Sequence, residues 1–194
     1  MRVIGLDPGL RVTGWGVIEV VDNRLRHLGD GVVRSDADAP IAERLTALYD
    51  GLMAVIAQYA PDEAAIEETF VNRNASSTLK LGLARGVVLL APAKAGLTVA
   101  EYAATLVKKS VVGGGHAAKD QVGAMIRILL PGCTLDMPDA ADALAVAVCH
   151  AHHAESRRRL ATVMPVVAKR AVGGQAKRAS HGPAKRAPHD GARR

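Results

Sequence analysis

The alternation of apolar and polar positions predicts a chain of short strands and longer helices. Apolar runs predict five strands, at about residues 2–6, 13–21, 24–33, 64–67 and 97–100. Apolar residues at helical spacing predict four helices, at about residues 41–59, 76–95, 118–130 and 139–153. The second and third strands are separated by Asp22-Asn23, a short hairpin turn. This order predicts an α/β fold, a mixed sheet with helices on its faces.

The pattern changes after residue 156. Ala-Lys-Arg-Ala recurs with a period of eight residues, at residues 168–171, 176–179 and 184–187, among Gly, Pro, Ser and His. Such a segment has too little apolar surface to offset the entropy of an ordered chain. We therefore predict one folded domain over residues 1–156 and a disordered, low-complexity basic tail over residues 157–194.

Charge separates the same two parts. The chain has 194 residues, 49% of them hydrophobic, which suits a single core, and its net charge is +6. Residues 157–194 hold eleven Lys and Arg against Asp190 alone, which leaves 14 basic and 18 acidic residues, net −4, in the body. The tail is therefore the general anion-binding part, and the body is the selective part.

Cysteine content and apolar run length suggest a compartment. The two cysteines, Cys133 and Cys149, do not have the spacing of a metal site, and this usage favours a reducing environment over a disulfide framework. The N-terminus lacks a signal-peptide pattern, and the apolar runs are shorter than a membrane span. The expected location is the cytoplasm, without membrane attachment.

Acidic residues stand at the ends of two predicted strands. Asp7 closes the first strand and is followed by the turn signal Pro8-Gly9. Glu67 closes the fourth strand directly after apolar Ile66. Glu68 is its neighbour, and adjacent strand residues point to opposite faces, so only one of the two can join Asp7. The sequence favours Glu67 only weakly at this point.

Two further acids open the last predicted helix. Asp139 and Asp142 are three residues apart and share a helix face among alanines. Asp139 alone could cap the helix, but the pair favours metal ligation. Two like charges about 4 Å apart cost on the order of 4 kcal/mol at an effective dielectric near 20, so a converging set of acids favours bound divalent cations.

Aromatic and basic residues suggest contacts with nucleic acid. Phe70, the only phenylalanine, lies beyond a strand end beside Arg73, where its ring could stack on a base or simply pack in the core. Lys108 and Lys119 flank a triple glycine ahead of a helix, an arrangement that suits phosphate contact or a solvated surface. The Cys149-to-His153 segment suggests zinc only weakly, because helical spacing scatters its side chains.

Several motifs occur in an order that matches a known family. They are Ile4-Gly5-Leu6-Asp7-Pro8-Gly9, Thr13-Gly14, Ala65-Ile66-Glu67-Glu68-Thr69-Phe70, Leu79-Lys80-Leu81-Gly82, Ala84-Arg85-Gly86-Val87, Val107-Lys108, Lys119 with Gln121-Val122, and Asp139-Ala140-Ala141-Asp142-Ala143-Leu144-Ala145. Over about residues 1–153 the chain resembles the RuvC family of bacterial Holliday junction resolvases. The tail lies outside this resemblance.

The resemblance implies an RNase H-like fold with a five-stranded mixed sheet, a homodimer, and Mg2+-dependent paired nicking of four-way DNA junctions in cooperation with RuvA and RuvB. It selects Glu67 over Glu68. The implied catalytic, metal-ligating residues are Asp7, Glu67, Asp139 and Asp142, holding two Mg2+ ions for which Mn2+ can substitute. The expected DNA contacts are Phe70, Arg73, Lys80, Lys108 and Lys119.

Three other functions compete with this one. An actin-like ATPase also begins with Asp-x-Gly after a strand, but it needs a second domain and a second phosphate motif. An RNase H-like nuclease with another substrate and a non-enzymatic DNA-binding protein stay open as alternatives. For the dimer, the helix at residues 76–95 carries Gly82 and Gly86 beside leucines, a stripe that suits either a subunit interface or packing on its own sheet.

Overall fold

The strands form one mixed sheet. A computed structural model describes residues 1–22, 24–68, 74–115 and 118–163, with side chains except at residue 119 and residues 155–163. The strands are β1 (Arg2–Asp7), β2 (Val12–Val21), β3 (Arg24–Arg34), β4 (Glu63–Glu68) and β5 (Thr98–Ala103). Their order across the sheet is β3-β2-β1-β4-β5. The first three are antiparallel neighbours, whereas β1, β4 and β5 run parallel. The predicted five-stranded mixed sheet is confirmed.

The hairpin between β2 and β3 has the predicted length. Val21 pairs with Arg24, so two residues connect the strands. Asp22 has a positive φ of 47°, as tight hairpin connections require. Asn23, the other predicted turn residue, lies outside the described residues.

The helices of the described chain follow the strands closely. They are α1 (Ile41–Tyr59), α2 (Ala75–Lys94), α3 (Ala104–Val112), α4 (Lys119–Leu129) and α5 (Pro138–Val163). Helix α2 begins one residue before the predicted range, because the Asn74 side chain caps it by accepting hydrogen bonds from the Ser76 and Ser77 amides. Helix α3 was not predicted. It follows β5 directly and lacks a side-chain cap, so the sequence gives no signal for its start.

The sheet has two different faces because successive strand residues point in opposite directions. On one face, which we call the α1/α2 face, Ile4, Leu6 and Ile66 pack in a core with helices α1 and α2. On the other, the α5 face, Val3 and Ala65 pack in a core with helices α3, α4 and α5. Helices therefore cover both faces, as predicted.

Helix α5 lies directly on the backbone of the central strand. A Cβ atom added to Gly5 would lie 2.1 Å from the carbonyl oxygen of Ala143 and 2.6 Å from the backbone nitrogen of Ala147. Those distances leave no room for a side chain at Gly5 unless the helix moves, so glycine on the strand and alanine on the helix permit the close approach. The position of α5 over β1 is therefore set by small residues.

Helix α5 is longer than predicted. The expected range was residues 139–153, but the helix runs from Pro138 to Val163 and includes the first seven residues of the predicted tail. Residues 164–194 lie outside the described residues. Among the described residues, none of the helices has the length and apolar character needed to cross a bilayer.

Candidate active site

Asp7 lies at the carboxyl end of β1 and faces helix α5. It is two residues beyond Gly5, so its side chain is on the α5 face. The loop that follows is held by Thr13, which is fully buried. The Thr13 hydroxyl donates to the Gly9 carbonyl oxygen at 2.7 Å and accepts from the Gly9 amide at 3.4 Å. The backbone beside Asp7 is therefore held by one side chain at the start of β2.

Glu67 leaves the sheet beside Asp7. Strands β1 and β4 are parallel and pair Leu6 with Ile66. The next residues of the two strands, Asp7 and Glu67, therefore lie at the same edge of the sheet. Glu67 is two residues beyond Ala65 and shares its α5 face, whereas Glu68 points the other way and is exposed. The alternation of β4 thus brings Glu67, and not Glu68, to the side of Asp7.

The first turn of α5 places two more acids near this edge. A Cβ atom added to Gly14 would lie 2.0 Å from the carbonyl oxygen of Asp139, and Gly14 is the strand partner of Asp7. Asp139 therefore lies over β2, next to Asp7. Asp142 follows within the same helical turn, and both aspartates are half-buried.

Three of the four predicted acids line one cavity of about 230 Å³. Asp7, Glu67 and Asp142 share it with Lys108 of helix α3. Apolar side chains complete the lining: Ala104, Val107, Val122 and Ala145. Asp139 lies outside this lining. The cavity thus combines carboxylates from two parallel strands and a helix with one ammonium group, at the edge where the strands end.

The donors of this cavity suit a hard divalent cation. Carboxylate oxygens are the ligands that Mg2+ prefers. Within the part of the chain that the structure describes, however, no three Asp, Glu, His or Cys side chains are grouped closely enough to ligate one ion as they stand. The chemistry of the site fits the predicted metal, and the cavity lining includes Asp7, Glu67 and Asp142 but not Asp139.

The predicted DNA contacts divide into three groups. Lys108 lines the cavity, so the unpredicted helix α3 is what brings this residue to the acids. Helix α4 begins at Lys119, and exposed Lys80 is on helix α2, away from the cavity lining. Phe70 and Arg73 lie outside the described residues.

A second cavity was missed by sequence reasoning. It measures about 310 Å³ and lies on the other side of Asp142, between helices α4 and α5. Asp120 and Arg127 line it from α4, where they lie about two turns apart. Helical spacing could have placed these two residues on one face of α4. Only the fold shows that this face lines a cavity together with Asp142.

The Cys149-to-His153 segment is divided between core and surface. Cys149 and His150 are buried in the α5 face, whereas His152 is exposed. Burial raises the pKa of the Cys149 thiol, and burial likewise raises that of Cys133. Both cysteines are free thiols. Burial thus disfavours the thiolate form of both side chains.

Comparison with known proteins places these features in one family. The family model for crossover junction endodeoxyribonuclease RuvC matches residues 3–150. The crossover junction endodeoxyribonuclease RuvC of Paramagnetospirillum magneticum is 70% identical over 161 residues, which cover 83% of this chain and 97% of that protein. The protein of the same name from Rhodospirillum rubrum is 62% identical over 90% of this chain and all of its own length.

Solved structures show the same similarity. Thermus thermophilus RuvC in complex with Holliday junction substrate superimposes with a TM-score of 0.75 at 35% sequence identity, covering 81% of this chain and 96% of that one. The yeast mitochondrial Holliday junction resolvase Ydc2 has a TM-score of 0.56 at 12% identity over 83% of this chain and 85% of that one, a similarity of fold alone.

Proposed function

The chain belongs to the RuvC family of crossover junction endodeoxyribonucleases, and from that premise we propose that it resolves four-way DNA junctions by paired, symmetric hydrolytic nicks. The observation that carries the proposal is the cavity at the sheet edge, where Asp7, Glu67 and Asp142 meet Lys108. This set of side chains supplies metal ligands and a cation for phosphate within one site.

We propose that the carboxylates hold two Mg2+ ions, with Mn2+ able to substitute. In this assignment Asp7, Glu67 and Asp142 would supply the carboxylate ligands of the ions. Asp139, one helical turn before Asp142, would add a further ligand or orient water. When bound, such an ion pair activates water and offsets charge on the scissile phosphate.

The protein groups have separate roles in this mechanism. The carboxylates stand on two strand ends and a helix, so the fold brings them to one cavity before substrate arrives. Lys108 provides a fixed positive charge for a phosphate oxygen beside them. Apolar Val107 and Val122 limit water on the same side of the cavity, which strengthens these charge interactions.

DNA binding draws on residues around this cavity. We propose that Lys80, Lys108, Lys119 and Arg73 contact phosphates and that Phe70 stacks on a base near the junction centre. The body has a net charge of −4, so these few cations, the bound metal and the tail must supply the attraction to DNA.

A homodimer completes the proposal because two symmetric nicks need two equivalent sites. Helix α2 carries a stripe of exposed leucines, with Leu79 at 69% and Leu90 at 55% exposure. Added Cβ atoms at Gly82 and Gly86 would meet nothing within 4 Å, so the stripe does not pack on its own sheet at these positions. We propose it as the subunit interface, with RuvA and RuvB as further partners and the cytoplasm as the location.

The basic tail is proposed to add sequence-independent affinity for the junction arms. Its lysines and arginines would release counterions from DNA, which makes affinity fall steeply with salt. Deleting residues 164–194, which leaves helix α5 whole, should flatten the slope of log affinity against log salt and preserve cleavage at low salt. An unchanged slope would show that the tail serves another purpose.

The proposed function is tested by cleavage of a synthetic four-way junction. The wild-type protein should nick it symmetrically in Mg2+, with linear duplex, flap and RNA–DNA hybrid substrates cut far more slowly. Asp7→Asn should bind the junction and leave it uncut. Equal cutting of the hybrid or flap would support a different RNase H-like nuclease, and binding without any Mg2+-dependent nicking would support a non-enzymatic DNA-binding protein.

A further inference from the structure

A buried hydrogen-bonded network lies on the α5 face, outside the lining of the cavity. His150 is 1% exposed, and its Nε2 lies 2.6 Å from a Glu63 carboxylate oxygen. Its Nδ1 lies 3.0 Å from the Tyr102 hydroxyl. A neutral imidazole with the proton on Nε2 satisfies both contacts, since Nε2–H donates to the carboxylate and the Tyr102 hydroxyl donates to Nδ1. Both ring nitrogens are therefore used.

The network joins the elements that carry the active-site acids. Glu63 is on the same face of β4 as Glu67, four residues earlier. Tyr102 is the strand partner of Glu67 on β5. His150 is eight residues after Asp142 on α5, about 12 Å along the helix axis. One imidazole thus links the strand of Glu67 to the helix of Asp142.

The contact between α5 and the central strands is close, with Gly5 against Ala143 and Ala147 and with the Leu144 side chain against Gly16. This packing sets how near the helix lies to the sheet. Hydrogen bonds to a buried imidazole add contacts of definite length and direction. The axial position of α5 decides how far Asp142 lies from Glu67. Strand β5 also leads directly into helix α3, so Tyr102 is held close to the start of the helix that carries Lys108.

We propose that Glu63, Tyr102 and His150 are positioning residues for the nuclease reaction, which fix helix α5 so that Asp142 meets Glu67 at the spacing needed for cleavage. They lie outside the cavity lining and do not contact the substrate. This inference rests on the proposed function, and it adds residues that act through the acids.

The experiment uses the full-length protein and removes single hydrogen bonds. Tyr102→Phe deletes one hydroxyl, and Glu63→Leu deletes the acceptor of Nε2–H, whereas Glu63→Gln keeps an acceptor oxygen. Tyr49→Phe deletes a hydroxyl on helix α1, in the core of the opposite face, and serves as the matched control. Three quantities are measured for each variant: the single-turnover cleavage rate on a four-way junction in Mg2+, junction affinity in Ca2+, and the melting temperature.

Tyr102→Phe and Glu63→Leu should cut about 10-fold more slowly or worse, because small displacements of reacting groups cost up to about 100-fold in rate. Their junction affinity should match that of the wild type. Glu63→Gln should restore most of the rate, and Tyr49→Phe should cut normally. Wild-type rates in both Tyr102→Phe and Glu63→Leu would overturn the inference, as would parallel losses of rate, affinity and melting temperature. A wild-type protein that binds junctions without cutting would overturn the proposed function itself.

Discussion

The two faces of the sheet use the same strands for different purposes. On the α1/α2 face, large aliphatic side chains such as Ile4, Leu6 and Ile66 fill the space between strand and helix. On the α5 face, the alternate residues include Gly5 and Asp7, and the helix approaches the backbone itself. Both faces contribute apolar burial, and the α5 face adds the close contact that brings carboxylates from strand and helix to one cavity. The proposed chemistry thus belongs to one face only, because successive strand residues point to opposite faces.

The adjacent acids of β4 give the largest expected contrast between the faces. Glu67→Gln should lower the junction cleavage rate at least about 100-fold, as removal of one group that acts on the transition state commonly does. Glu68→Gln removes the same charge on the other face and should change the rate by less than about 2-fold. Single-turnover cleavage measures both, with junction affinity as the check on folding. Equal losses would contradict the assignment of faces.

Creating a cavity in the core of the α1/α2 face should lower stability without changing the cleavage rate. Leu52 is fully buried in that core, and Leu52→Ala should lower the free energy of unfolding by about 2–5 kcal/mol. Denaturant titration measures the loss. The cleavage rate per folded molecule at low temperature should stay at the wild-type value. A variant that is stable but inactive would show that the two faces are coupled.

Adding a single methyl group on the α5 face should lower both stability and the cleavage rate. Gly5→Ala places a Cβ atom against the Ala143 carbonyl, so helix α5 must move away, at a cost of about 1–3 kcal/mol of unfolding free energy. Because α5 carries Asp142, cleavage should fall as well. Gly123→Ala is the matched control. An added Cβ there meets nothing within 4 Å, and the change in helix α4 should stabilise by up to about 1 kcal/mol. Normal cleavage by Gly5→Ala would contradict the expected dependence of activity on the close packing of α5 against β1.

Much of this architecture could be predicted because it depends on local pattern. The short apolar runs predicted the strands, and helical spacing predicted α1 with its observed bounds. Helix α3 was missed because it has nine residues, starts without a cap and follows a strand with no break. The end of α5 was predicted ten residues too early. The basic residues after His153 indicated the start of the tail, whereas in the structure they continue the helix.

The site was predictable in part for the same reason. Strand ends and a shared helix face are visible in sequence, and they indicated Asp7, Asp139 and Asp142, whereas the family resemblance was needed to select Glu67 over Glu68. Asp139 lies over β2, outside the cavity lining, because helix α5 packs closely on Gly14. The spacing of residues along the sequence does not reveal this packing. The His150 network was not predicted, because its three residues are far apart in sequence and meet only through tertiary packing.

The place of helix α5 in the chain has a consequence for synthesis. It is the last element of the described fold, yet it packs against β1, the first. A nascent chain can pair β1 with β2 and later with β4, but it lacks Asp142 and the support for Asp7 until the C-terminal helix leaves the ribosome. If Asp142 has the proposed role, cleavage competence should therefore appear only after helix α5 has been synthesised. Truncated products that retain Asp7 and Glu67 but lack α5 should then be unable to cut DNA.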